Sequence, residues 1–284
     1  MSAQQIITPE LRAWILEQTQ AGHGRDQVLA AMIGSGWDAA VARKALADTL
    51  TPEQPSSSSA GEAPTASKVP EPSLEGAPPS VWAGDRQVNI LMALKHPRVV
   101  VFGGLLSDEE CDQIVALSAA RLARSETVAT GTDGSEVNAA RTSDGMFFER
   151  GENELIKRVE ARLSALLNWP VDHGEGLQVL RYRPGAEYLP HYDYFEPNHV
   201  STATILKRGG QRVASLVMYL NTPKAGGATT FPDVRLDVSP IKGNAVFFSY
   251  DRPHPMTLSL HGGAPVTEGE KWVATKWMRQ GVFV

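Results

Sequence analysis

The chain of 284 residues has a single cysteine, Cys111, so no disulfide can form within it. With no second thiol to pair or share a metal, Cys111 reads as a half-buried helix residue in a reducing compartment, and a cytoplasmic location is expected. No apolar run approaches the roughly 20 residues that span a bilayer, and the opening MSAQQIITPELR has neither the charged nor the apolar region of a secretory signal. Nor is there an excess of positive charge. A net charge of -5 and a pI near 5.8 give no basic field, so neither nucleic acid nor an anionic membrane is an expected partner. Finally, no glycine-rich phosphate loop follows a strand pattern, which leaves a nucleotide-binding fold without support.

What is present divides the chain by composition into three parts: 1–50, 51–80 and 81–284. In the first, Thr8-Pro9-Glu10 has the form of a helix start, with Leu11, Trp14 and Ile15 at helical spacing behind it. A second apolar-periodic run covers Val28 to Ile33, and Asp38 can cap a third helix carrying Val41, Ala45 and Leu46. A three-helix module follows, with Trp14 and Trp37 expected as core anchors. GSGWDAAVARKAL resembles ubiquitin-associated-type three-helix domains. The plainer expectation is a docking appendage whose partner the sequence does not identify.

From Thr51 to Ser80 the chain holds almost no large apolar residues and is crowded with proline, serine, alanine and glutamate. Such a segment cannot bury enough surface to order itself, and it reads as a moderately extended linker.

Residues 81–284 begin with helical patterns and end in strands. Ser107 and Glu110 form a capping box ahead of SDEECDQIVALSAARLA, and GENELIKRVEARLSALLNW continues with helical spacing from Leu155 to Leu167. After Gly176 come short β-branched and aromatic segments: LQVLRY, VASLVMYL, ATTFPDV, NAVFFSY, MTLSLH and KWVATKWM. Many short strands after helices, without βαβ alternation, predict an α+β class with an antiparallel sandwich or barrel backed by helices.

Within those strands, LPHYDYFEP places His191 and Asp193 two positions apart. On a strand they share one face, with Tyr192 turned away. Two imidazoles and one carboxylate form the facial ligand set of non-haem Fe(II). A second histidine is therefore needed, and His199, His254 and His261 remain as choices. His199 falls in the polar stretch PNHVSTATILKRGG, which reads as a substrate lid, and His254 sits between prolines. His261 ends MTLSLH, where a barrel brings a distant strand beside the first pair. Ten positions later, Lys271 opens a strand whose alternation groups Lys271, Val273, Thr275 and Trp277 on one face, an arrangement that calls for an anion if that face is inward. The alternative places Trp272 inward and Lys271 outside.

The motifs HYD at 191–193, GGATTFPDV at 226–234 and SLHGGAPVTEGEKWVATKW at 259–277 together resemble the signature of prolyl 4-hydroxylase-type Fe(II)/2-oxoglutarate dioxygenases. RTSDGMF at 141–147 and GGQRVASLVMYLN at 209–221 extend the likeness to about residues 96–280. The resemblance implies a double-stranded β-helix (jelly-roll) core, with His191, Asp193 and His261 holding Fe(II) and Lys271 binding the distal carboxylate of 2-oxoglutarate. It further implies that Tyr182 and Thr229 touch this cosubstrate with Trp277 beside it, and that Tyr188 and Arg212 contact a substrate peptide. The implied reaction consumes O2 and 2-oxoglutarate, releases succinate and CO2, and hydroxylates a prolyl or related residue, with ascorbate as reductant. Collagen-type members commonly carry a histidine two positions after the tryptophan matching Trp277, whereas this chain has Arg279. Arg141 has the plainer expectation of a structural hydrogen-bonding residue, and Tyr192 and Tyr194 of packing. A non-catalytic β-helix protein that binds a partner through its N-terminal helices is the alternative. A zinc hydrolase is disfavoured, because no base that would activate water stands near the ligands in sequence.

Overall fold

The computed structural model describes residues 11, 14–15, 18–19, 24–50, 64–124, 127–128, 135–136 and 142–284. Arg141, suggested above as a hydrogen-bonding residue, lies outside them. The chain forms two compact units, Met1–Ala63 and Pro64–Val284.

In the first unit, residues 11, 14–15 and 18–19 are helical, followed by α1 (Arg25–Gly34) and α2 (Ala39–Leu50). The Asp38 carboxylate accepts a hydrogen bond from the Val41 N–H at 3.2 Å, as its place ahead of α2 predicts. Ile15, Val28, Met32, Ala42, Ala45 and Leu46 fill the core, while Trp14 and Trp37 pack at its edge, only partly buried. The aliphatic side chains, rather than the two indoles expected from the sequence, are the central anchors.

The second unit opens with strands, not with helices. A nine-stranded sheet holds β1 (Ser80–Trp82), β2 (Gln87–Leu94), β3 (Arg98–Gly103), β4 (Ala123–Arg124), β7 (Asp144–Phe148), β8 (Leu177–Tyr182), β10 (Arg212–Tyr219), β14 (Ala245–Ser249) and β17 (Lys271–Arg279). Its order is β1-β2-β3-β14-β10-β17-β8-β7-β4. Opposite stands a smaller sheet in the order β13-β12-β15-β9, made of β9 (Tyr188–His191), β12 (Thr229–Phe231), β13 (Leu236–Val238) and β15 (His261–Gly263). Two further pairs are β5 (Thr127–Val128) with β6 (Ser135–Glu136) and β11 (Ala225–Gly226) with β16 (Val266–Glu268). All pairings within these sheets are antiparallel. The architecture is a double-stranded β-helix, a jelly roll backed by helices.

Strand alternation sorts the side chains of the large sheet. Leu216, Met218, Trp272, Ala274 and Met278 turn to one face, where they join Ile114 of α3 (Asp108–Ala119) and Ile156, Val159 and Leu163 of α4 (Glu154–Leu167). Tyr219, Val246, Phe248 and Val273 turn to the other face, where they meet Tyr194 and Phe231. The capping box on α3 forms as predicted: Ser107 Oγ accepts from the Glu110 N–H at 3.1 Å, and the Glu110 carboxylate accepts from the Ser107 N–H at 3.0 Å. Buried Arg162 on α4 then binds Asp85 and Glu110, each at 2.7 Å, tying the first hairpin to both helices.

Two local expectations need correction. Residues 64–79, assigned by composition to the linker, lie against the second unit. Pro70 and Pro72 are buried, Val69 and Leu74 pack on the core, and the Glu71 N–H donates to the Leu167 carbonyl at 3.0 Å. The few apolar groups and free backbone donors of this segment suffice to dock it. MTLSLH, in turn, is not a strand. Pro255–Thr257 forms a 3-10 turn, Leu258 takes the left-handed conformation at φ 51°, and pairing begins only at His261. Among the described residues, no helix is long and apolar enough to cross a membrane.

Candidate metal centre and adjoining pocket

The register of the small sheet sets His261 on β15 directly opposite His191, the last residue of β9. Asp193 lies just beyond the end of β9, not on it. Its carboxylate nonetheless reaches both rings, with Oδ2 at 3.3 Å from His261 Nε2 and Oδ1 at 3.6 Å from His191 Nε2. The three ligand atoms lie within 4.8 Å of one another. The turn that carries Asp193 back is held by Gln211, which accepts from the Phe195 N–H at 2.7 Å and donates to the Phe195 carbonyl at 2.8 Å.

The tautomer of each ring follows from its partners. His191 Nδ1 is 2.9 Å from the Leu189 carbonyl and His261 Nδ1 is 3.0 Å from the Ser259 carbonyl. A carbonyl only accepts, so each Nδ1 carries the hydrogen and each Nε2 turns a lone pair toward Asp193. Burial and the neighbouring His261 hold His191 below the usual imidazole range. Burial acts to raise the Asp193 carboxyl, but the positive charge of His261 and the hydrogen bonds of both rings, present when Nε2 takes up a proton, outweigh it and hold the group far below the carboxylate norm. Two neutral imidazoles and one ionised carboxylate fit Fe(II). His199 and His254 are engaged elsewhere: His199 Nδ1 lies 2.8 Å from Ser201 Oγ, and His254 Nδ1 accepts from the Met256 N–H at 3.1 Å. The stretch read as a lid contains a short helix, α5 (Thr202–Leu206).

A half-open pocket adjoins this cluster, lined by Tyr182, Tyr188, Thr229, Lys271 and Trp277 together with His191, Asp193 and His261. Val273 and Thr275 also line it, so the alternation read from KWVATKWM puts Lys271 on the inner face and Trp272 on the helix face. Lys271 is only 4% exposed, and among the described residues no carboxylate pairs with it. Its Nζ sits 5.4 Å from the centre of the Tyr182 ring and 5.9 Å from that of Tyr219. Burial pushes its pKa down to about 8. A buried ammonium without a counter-ion is costly, and a carboxylate entering the pocket relieves that cost. Thr229 stands ready to assist: its Oγ1 accepts from the Tyr219 hydroxyl at 2.8 Å, which leaves its own O–H to donate. The pocket therefore fits a keto acid with a distal carboxylate.

Tyr188 stacks on His191, with ring centres 3.7 Å apart and planes 23° apart. Arg212 is outside the pocket lining and already engaged. Its guanidinium meets Glu175 at 2.6 and 2.8 Å and lies 4.0 Å from the centre of the Trp277 ring. Arg279 is buried beside them, donating to the Gly210 carbonyl at 2.5 Å with its Nε 2.9 Å from Glu175 Oε1.

Sequence reading missed the residues that support these groups. Ser215 Oγ donates to Asp193 Oδ2 at 2.6 Å and lies 2.9 Å from the Tyr250 hydroxyl. The one available signal was parity, since Ser215 shares an inner face with Val217 and Tyr219 in VASLVMYL. Nothing in the sequence marked Glu175 as the partner of Arg212.

The description "2OG-Fe(II) oxygenase superfamily" belongs to a family model that matches residues 177–279. Among curated proteins, Probable prolyl 4-hydroxylase 3 of Arabidopsis thaliana is 38% identical over 221 residues, covering 70% of this chain and 75% of its own length. Prolyl 4-hydroxylase 5 of the same plant is 38% identical over 221 residues, covering 70% and 74%. Among solved structures, the viral collagen prolyl hydroxylase of Paramecium Bursaria Chlorella virus-1, in its 2OG complex, is 29% identical with a TM-score of 0.50, covering 64% of this chain and 95% of its own.

Proposed function

The chain belongs to the prolyl 4-hydroxylase-type Fe(II)/2-oxoglutarate dioxygenases, and from that premise we propose that it hydroxylates a prolyl residue in a peptide or protein, releasing succinate and CO2. The observation that carries this reading is the coexistence, in one pocket, of a two-histidine, one-carboxylate cluster and a buried lysine without a protein counter-ion.

In this proposal His191, Asp193 and His261 hold Fe(II). Lys271 and Thr229 bind the distal carboxylate of 2-oxoglutarate, with Tyr182 and Trp277 as walls. When bound, the metal and its cosubstrate supply the oxidising power for inserting oxygen into a C–H bond. The chain supplies orientation. The Nδ1 hydrogen bonds keep both imidazoles aimed at the metal position, and Lys271 gives the pocket a fixed positive charge at one end. Buried Leu180 and Val273 keep the walls dry.

Tyr188, at the mouth beside His191, is proposed to contact the substrate. Arg212 would do so only while retaining Glu175, or would shape the rim through Trp277. Ascorbate as reductant rests on the family resemblance. The N-terminal helices are proposed to dock a separate partner.

Incubating the protein with Fe(II), 2-oxoglutarate and proline-containing peptides tests the proposal. Succinate release together with a one-oxygen mass gain on the peptide is expected, and both should vanish in His191→Ala. Absence of succinate with every peptide, uncoupled turnover included, would favour the non-catalytic alternative.

A further inference from the structure

The Asp193 carboxylate is held asymmetrically. Oδ2 accepts the Ser215 hydroxyl at 2.6 Å, whereas Oδ1 accepts no hydrogen bond from the described residues beyond its approach to His191 Nε2, which carries a lone pair. Ser215 is fully buried on β10 and its direction is fixed in turn. Its oxygen lies 2.9 Å from the Tyr250 hydroxyl. Because the Ser215 hydrogen is committed to an ionised acceptor, the Tyr250 O–H must be the donor in that second contact. The result is a one-way chain, Tyr250 to Ser215 to Asp193, in which every hydrogen has one place to go. Tyr250 is itself fixed by packing, 1% exposed, with its ring centre 6.2 Å from Phe248 and 6.1 Å from Tyr194.

We propose that Ser215, oriented by Tyr250, is a positioning residue that reserves Asp193 Oδ2 and so restricts the carboxylate to one-oxygen metal binding. This rests on the reading of His191, Asp193 and His261 as metal ligands. The consequence concerns the count of open positions. An octahedral ion held by three protein atoms keeps about three sites free, which a bidentate keto acid and one further small molecule can fill. A carboxylate free to swing and bind through both oxygens removes one of them. A charge-assisted hydrogen bond to Oδ2 opposes that swing, and supports of this kind are worth about 10- to 100-fold in metal affinity or activity.

The experiment loads wild-type protein, Ser215→Ala and Tyr250→Phe with Mn(II) and measures two quantities: the metal dissociation constant and the water-proton relaxivity per bound ion, which follows the number of coordinated waters. Ser215→Ala is expected to lower relaxivity per bound Mn(II) by about one third, from three waters to two. Tyr250→Phe keeps the ring in place and is expected to give a smaller fall in the same direction. A merely structural role would weaken binding while leaving relaxivity per bound ion unchanged, and that result in both variants overturns the proposal. If Ser215→Ala does not fold, Tyr250→Phe alone decides it. Failure of the wild type to bind Mn(II) at all would overturn the metal-centre reading and this inference with it, and is distinguished by appearing before any substitution.

Discussion

Arg212 and Trp277 form a stacked pair, the guanidinium 4.0 Å from the ring centre, and Glu175 grips the other side of the same guanidinium with both oxygens. Trp277 lines the pocket, so this pair couples a buried ion bridge to the shape of the cavity wall. Lysine retains the charge but neither the fork nor the plane. Arg212→Lys is expected to cost about 1–3 kcal/mol, moderated because Arg279 also faces Glu175. The apparent KM for a peptide should rise about tenfold, a 1.4 kcal/mol effect. Denaturant unfolding and steady-state kinetics check both, and a variant as stable as the wild type would show that the pair is incidental.

Lys271 gives the pocket a pH dependence. Its pKa is pushed from the ordinary 10.5 to about 8 by burial, so across that window the unfolded chain holds a proton that the folded, ligand-free chain has released. Stability from this group therefore grows as pH rises from about 8 to 10.5, and affinity for a dicarboxylic keto acid falls over the same range. Lys271→Met should abolish the window, raise ligand-free stability near neutral pH by about 1 kcal/mol or more, and lower 2-oxoglutarate-dependent turnover by at least ~100-fold. Unfolding midpoints at two pH values on either side of the window measure the first two effects.

Chelation should remove succinate formation, Fe(II) should restore it, and Zn(II) should occupy the same ligands without restoring it, because that ion has no redox chemistry to offer. Asp193→Asn should weaken metal binding by more than ~100-fold, since the amide supplies no charge. Because burial and His261 keep His191 below its ordinary 6.5, metal loss on acidification should begin below that value. Equilibrium dialysis across pH follows it.

Arg162→Met separates folding from chemistry. Removing this 3% exposed guanidinium leaves Glu110 buried without its main partner and should cost about 3–5 kcal/mol, while turnover per folded molecule stays level. The solvent-facing Arg121–Glu152 pair, 43% and 30% exposed, is the control: Arg121→Met should cost less than ~1 kcal/mol. Comparable losses in the two variants would contradict the role given to the buried clamp.

How far the sequence could be read depended on whether a feature is local. The capping box at Ser107 and the alternation from Lys271 to Trp277 are short-range patterns that appear in the fold where their spacing put them. His191 and Asp193 meet as their closeness suggests, although a turn after β9 and not a shared strand face brings Asp193 back. MTLSLH failed because Leu258 adopts a left-handed backbone that an ordinary leucine does not advertise. The hairpin strands β2 and β3 carry an uneven signal: RVVVFG has the β-branched run of a buried strand, whereas the flanking QVNILMAL shows the alternation only weakly. Glu175 and Arg212 are 37 residues apart, and Ser215 and Tyr250 are 35 apart. Contacts at such separations are products of strand pairing, and no window of sequence contains them.

The docked stretch 64–79 carries a practical lesson for anyone shortening the protein. A chain trimmed at residue 81, where composition alone would invite the cut, would strip Val69 and Leu74 from the core, leave the Leu167 carbonyl without its donor and leave Arg98 without Glu71. Trimming after Ala63 keeps that belt in place, so the shorter product should aggregate where the longer one stays soluble.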